Sequence, residues 1–135
     1  MSLFSGLFGA NSESASSKIP WIPLTSEAQL AELALLSNEK PLLIFKHSTR
    51  CGISRTALKQ FENEFDLFDS VEAYYLDLLE YRPISSAIAE QFSVTHQSPQ
   101  LILLNKGQVV HHASHSDIDA QGLKKYQAQG LKKYL

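Results

Sequence analysis

Leu42-Leu43-Ile44-Phe45-Lys46-His47-Ser48-Thr49-Arg50-Cys51-Gly52-Ile53-Ser54 is the stretch on which the reading of this 135-residue chain turns. Four apolar residues in a row, Leu42 to Phe45, have the pattern of a strand covered on both faces, as in a parallel sheet. Beyond Cys51, Ala57, Leu58, Phe61 and Phe65 recur at helical spacing, with Arg55, Lys59, Glu62 and Glu64 on the opposite face. A strand therefore runs straight into an amphipathic helix, and the chain's only cysteine stands at the junction. The free N–H groups and positive dipole end of a helix start favour an anion, which eases the thiolate form there. Lys46, His47, Arg50 and Arg55 lie close in sequence and add positive potential.

Working outward toward the N-terminus, Ile19-Pro20-Trp21-Ile22-Pro23-Leu24 reads as a short edge strand, because two prolines suit an edge rather than a centre. Ser26 with Gln29 forms a capping-box pattern for a helix whose apolar face carries Leu30, Leu33 and Ala34. Asn38 is expected to end that helix in a left-handed turn. In the other direction, Val71 to Leu76 reads as a second central strand, and Pro83 suits the first turn of a helix bearing Ile84, Ala87, Ile88 and Phe92. Pro99 opens the run Gln100 to Leu104, and Asn105-Lys106-Gly107-Gln108 supplies the turn into a final strand, Val109 to His112 or slightly beyond. A helix from about Asp117 completes the order β-α-β-α-β-α-β-β-α.

The length fits one domain, and 44% hydrophobic residues suffice for a core without disulfides or metal. A formal net charge of −2 gives no bulk attraction to nucleic acid or anionic membrane. One cysteine makes no internal disulfide, which fits a reducing, cytoplasmic setting and leaves the thiol free to exchange with another molecule. Residues 1–18 read as a flexible Ser- and Gly-rich tail carrying Leu3-Phe4 and Leu7-Phe8. They lack the features of a secretory signal or a myristoylation site, and no run reaches transmembrane length. The domain proper is expected over 19–135.

The element order, a cysteine after the second strand and a proline opening a late hairpin together resemble the thioredoxin fold, an α/β architecture with a central mixed sheet flanked by helices. In that fold Pro99 would be the cis-proline beside the active thiol. More narrowly, Leu43 to Cys51 with Ile53-Ser54, then Tyr75-Leu76-Asp77 and Ser98-Pro99-Gln100, resemble the monothiol bacilliredoxins, the bacillithiol-system redox-active proteins of YtxJ type. The resemblance spans roughly Ile19 to Asp119, and the Lys-His-Ser-Thr-x-Cys element is its specific part. That family tends to carry Pro directly after the cysteine. This chain has Gly52, so Cys51-Gly52-Ile53-Ser54 is also similar to the Cys-Gly-Phe-Ser element of monothiol glutaredoxins.

The resemblance implies a thiol–disulfide oxidoreductase that removes bacillithiol from mixed disulfides on client proteins, with Cys51 as nucleophile and bacillithiol as co-substrate rather than bound cofactor. Ser54 stands where a dithiol enzyme keeps its resolving cysteine, and its hydroxyl is expected either to hydrogen-bond the thiolate or to serve as an ordinary cap. His47, Thr49 and Gly52 are candidates for tuning the thiol, His47 equally reading as a histidine packed on the sheet. Lys46 and Arg50 are candidate contacts for the carboxylates of bacillithiol, and Ser98 with Pro99 is the candidate docking edge. Competing readings are an iron–sulfur carrier sharing a cluster across a weak dimer, a one-Cys peroxidase, and a non-catalytic thioredoxin-fold adaptor. Against the first, the segment after Val109 lacks a Gly-Gly-acidic element. Against the second, Ile44 stands where a peroxiredoxin has Pro.

His111 and His112 fall on opposite faces of a strand, so with His115 they do not converge on a metal. Ala120-Gln121-Gly122-Leu123-Lys124-Lys125-Tyr126 recurs as Ala128 to Tyr134. Two copies are too few for a solenoid, and eight residues put the two leucines about 80° apart on one helix, so 120–135 reads as a tandem extension of the last helix.

Overall fold

The computed structural model describes residues 19–65, 71–120 and 123. The expected tail at 1–18 and nearly all of the 120–135 repeat lie outside them. The elements are β1 (Ile22–Pro23), α1 (Ala28–Leu36), β2 (Leu42–His47), α2 (Gly52–Glu64), β3 (Glu72–Asp77), α3 (Arg82–Gln91), β4 (Gln100–Asn105) and β5 (Gln108–Ser114). The strands form one sheet in the order β1-β3-β2-β4-β5. β3 is parallel to β1 and β2, while β4 runs antiparallel to β2 and β5. This is the mixed sheet between helices that the thioredoxin layout requires.

Strand alternation sorts the core into two layers. Leu42, Ile44, Leu76, Ile102 and Leu104 pack on Leu30 and Leu33 of α1 and on Ile84 and Ile88 of α3. Leu43, Phe45, Leu101 and Leu103 pack on Phe61 and Phe65 of α2, with Ala120 and Leu123 on the same side. Trp21 joins β1 to this second layer, its ring 6.1 Å from Phe45, 6.3 Å from Phe61 and 6.0 Å from Tyr75. Its Nε1 donates to Glu62 at 2.7 Å, so Glu62, expected on the solvent face, is half-buried beneath the edge strand.

Two ends differ from expectation. At the start of α1, Gln29 Oε1 accepts the N–H groups of Thr25 (2.7 Å) and Ser26 (3.0 Å), but the Ser26 side chain caps nothing, leaving half a capping box. At its other end Asn38 takes no left-handed conformation. The Ser37 carbonyl accepts from Lys106 N–H (2.8 Å), and Ser37 Oγ donates to Ala34 O (2.8 Å) while accepting from Gly107 N–H (2.7 Å). A turn distant in sequence satisfies the helix end, and no local reversal is needed. That turn has positive φ at Lys106 (55°) and Gly107 (75°), the two-residue hairpin pattern anticipated from its residues. The helix expected from Asp117 is preceded by a 3-10 turn, His115–Asp117, and mostly lies outside the described residues.

Candidate active site

β2 delivers the site. Its six residues are all buried, so the strand outlasts its apolar run and carries Lys46 and His47 inside as well. Alternation sends their side chains to opposite faces. His47 points to the α2 side, where its ring lies 5.8 Å from that of Tyr75 and its Nδ1 is 2.8 Å from Ser54 Oγ. The Ser54 hydroxyl oxygen also accepts the Ser48 N–H at 3.0 Å. Ser54 is fully buried, and these bonds fasten the first turn of α2 to the end of β2. The expectation that its hydroxyl reaches Cys51 is therefore corrected: burial commits it to Ser48 and His47.

Cys51 is the N-cap residue of α2, extended at φ −104° and ψ 122°, and is half-buried. Its carbonyl opens the helix by accepting Arg55 N–H (3.0 Å), and its N–H donates to Ser48 O (3.1 Å). Thr49 and Arg50 are exposed beside it. Arg55 is engaged locally, donating from Nη1 to the Thr49 carbonyl at 3.2 Å. Gly52 is exposed, and a Cβ there would meet only the Arg55 Nη2 at 3.8 Å, so neither backbone angle nor crowding demands a glycine.

Lys46 departs most from its sequence reading. It is completely buried, faces the layer of α1 and α3, and its Nζ lies 2.7 Å from His96 Nδ1. A side chain so placed offers no surface contact to a ligand beside α2. Burial lowers its pKa to about 8. His96 is held below the ordinary imidazole value by burial and by the positive charges of Lys46 and Arg82. Ser85 Oγ stands 3.3 Å from the same His96 nitrogen.

The antiparallel pairing of β2 with β4 sets Lys46 opposite Gln100, which brings the start of β4 to the end of β2 that leads to Cys51. The Ser98–Pro99 peptide there is cis. Pro99 is buried, its carbonyl accepts the His115 N–H (3.1 Å), and Ser98 remains half-exposed. Buried Gln100 braces the preceding loop by donating to Thr95 O (2.9 Å) and accepting from Gln97 N–H (3.4 Å). His96 carried no sequence signal, because a polar residue before a strand looks like ordinary loop, and Gln100 was legible only as the first residue of the β4 run. The parallel pairing sets His47 opposite Asp77, so the β3–α3 loop borders the site on the other side. That loop and the segment before Cys51 enclose a cleft of about 300 Å³ lined by Thr49, Arg50, Asp77, Leu79, Glu80 and Arg82.

Residues 22–123, which carry this helix-capping cysteine, match the family model described as monothiol bacilliredoxin BrxC. The chain belongs to the monothiol bacilliredoxin family. Solved structures place this bacilliredoxin-family chain among thioredoxin folds. A candidate oxidoreductase with a thioredoxin fold is 31% identical, with 78% of this chain and 92% of that chain covered at a TM-score of 0.67. Thioredoxin from Malassezia sympodialis (18% identity, 84% and 92% covered, TM-score 0.64) and thioredoxin from Trypanosoma brucei brucei (16%, 87% and 96%, 0.65) share the fold. With the family comes the reaction class, thiol–disulfide oxidoreduction. Among the described residues no helix is long and apolar enough to cross a membrane.

Proposed function

We propose that this enzyme strips bacillithiol from bacillithiolated client proteins by monothiol exchange at Cys51. The observation that carries the reading is the pairing of a half-exposed cysteine at the N-cap of α2 with a fully buried serine three residues on. With no second sulfur in the chain able to form a disulfide, one formed by Cys51 is resolved only by a thiol from outside.

In the first step the Cys51 thiolate attacks the bacillithiol sulfur of the mixed disulfide. The bond between that sulfur and the client sulfur breaks, the client leaves as thiolate and takes a proton from water, and Cys51 holds bacillithiol in a new disulfide. In the second step a free bacillithiol thiolate attacks the held sulfur, regenerating Cys51 and releasing the bacillithiol disulfide. Each step exchanges one disulfide for another, so no outside oxidant or reductant enters beyond the second bacillithiol. The N–H groups of the first turn of α2 favour the anion on Cys51, and the His47–Ser54–Ser48 bonds act as positioning elements that hold that turn against the sheet. The Ser98 side of the cis peptide is the edge on which the extended backbone next to the client cysteine docks.

The test follows both intact masses after mixing with a bacillithiolated client, with Cys51→Ser as the blank. Transfer of the bacillithiol mass to the wild-type chain alone is the expected result. A client that retains its adduct removes the proposal, and equal transfer to Cys51→Ser removes the role of Cys51.

A further inference from the structure

The cleft beside Cys51 arises from how the chain leaves its two central parallel strands. After β2 the chain turns to α2, whose Phe61 and Phe65 pack with Phe45 on one face of the sheet. After β3 it turns to α3, whose Ile84 and Ile88 pack with Ile44 on the other face. Adjacent strand ends whose connections part to opposite faces leave a crevice at their carboxyl ends, the place where open α/β sheets bind ligands. One lip is Thr49-Arg50, directly before Cys51; the other is Asp77 to Arg82.

Both lips are held. Asp77 Oδ1 accepts the N–H groups of Leu79 (3.2 Å) and Glu80 (3.4 Å), fixing the β3–α3 turn, and Leu78 N–H donates to the His47 carbonyl (3.0 Å), tying that turn to β2. Arg82 is the first residue of α3, and its field reaches His96 in the loop before Pro99. The ion pair found among the described residues, Lys40 with Glu72 at 3.9 Å, lies elsewhere, so Arg50, Arg82 and Glu80 line the cleft without a charged partner among those residues. Two guanidiniums suit two carboxylates, since each presents a planar fork to a carboxylate, and an exposed glutamate suits an ammonium. A volume of about 300 Å³ is at the small end of ligand sites, fitting a molecule of small-metabolite size rather than a peptide.

We infer that this cleft recognises the non-sulfur end of the small thiol, Arg50 and Arg82 taking its carboxylates and Glu80 its ammonium while its sulfur meets Cys51. The inference rests on the exchange reading above and adds Arg82, Glu80 and Asp77 to it, the first two as recognition residues and Asp77 as the residue that positions their turn. A thiol bearing a dicarboxylate and a primary amine, as bacillithiol does, offers a partner to each of Arg50, Arg82 and Glu80, while the fourth charged group of the lining, the Asp77 carboxylate, accepts the Leu79 and Glu80 N–H groups. A thiol with the amine alone leaves both guanidiniums unused.

The experiment compares one client protein carrying either bacillithiol or cysteamine in mixed disulfide, and reads the ratio of the two second-order removal rates. The expected result is that wild type favours the bacillithiol adduct and that Arg82→Gln and Arg50→Gln each lower the ratio about tenfold, the loss appropriate to one charge-assisted hydrogen bond. Arg82→Lys, which keeps the charge and the helix start, falls between. An unchanged ratio in both glutamine variants overturns the inference while leaving exchange at Cys51 in place. Removal of neither adduct by wild type overturns the exchange reading, and this inference with it.

Discussion

Ser54 occupies the site of a second thiol yet behaves as a structural residue. Its oxygen accepts the Ser48 N–H and meets His47 Nδ1 in a fully buried position. Ser54→Ala takes the acceptor from the part-buried Ser48 N–H, which costs on the order of 1 kcal/mol. Urea unfolding is expected to register that loss, and a midpoint equal to wild type would mean the bonds contribute nothing. Cys51 is separable from this knot, because its side chain makes no capping bond. Cys51→Ser is accordingly expected to keep the wild-type stability in urea to within about 0.5 kcal/mol, the range of a substitution outside the core, while mixed-disulfide formation disappears in intact-mass spectra. A large stability loss would instead make the thiol part of the fold.

At the scale of elements, β2 ends in two polar residues that the sheet nevertheless covers. The buried Lys46 ammonium has a pKa of about 8 against an ordinary 10.5. Between those values the unfolded chain binds a proton that the folded chain has lost, so stability rises with pH across that window, and below about pH 8 the folded state bears the whole cost of the buried charge. Lys46→Met removes that cost, as replacing buried charges by apolar side chains often does. The variant is expected to be more stable than wild type at pH 7 by about 1–3 kcal/mol, with the gap narrowing as the pH approaches the ordinary lysine value. Urea titrations at about pH 7, 9 and 10 check it, and a gap that widens with pH would reverse the sign. In the β4–β5 turn, Gly107 has φ +75° and open space where a Cβ would stand, so backbone strain alone penalises Gly107→Ala. Its expected cost is about 1 kcal/mol, read from the urea midpoint.

For the whole molecule, the sole tryptophan reports on several elements together. Trp21 contacts the rings of Phe45 in β2, Phe61 in α2 and Tyr75 in β3, and its indole N–H is held by Glu62. With β1, β2, β3 and α2 sharing that contact, Trp21 fluorescence and far-UV circular dichroism are expected to follow one coincident urea transition, as in a two-state domain. Separate midpoints would show the edge strand detaching before the sheet melts.

What the residues determined by themselves is local or periodic. Four apolar residues followed by helical spacing placed Cys51 between a strand and a helix, and the Asn-Lys-Gly-Gln turn announced the hairpin, because alternation and turn geometry are properties of neighbouring positions. The expected strands and the first three helices stand close to where those patterns put them. Whatever depended on a partner across the chain was decided by the tertiary structure. Asn38 did not reverse because Lys106 and Gly107 reached Ser37; Lys46 was buried because β2 became the central strand of the sheet, with His96 left 2.7 Å from its Nζ; Ser54 turned from Cys51 because Ser48 and His47 claimed its hydroxyl. Arg82 joined Arg50 along one cleft only when β2 and β3 lay side by side. A polar side chain takes the partner that packing leaves within about 3 Å, and that distance is set by the folded chain rather than by spacing along it.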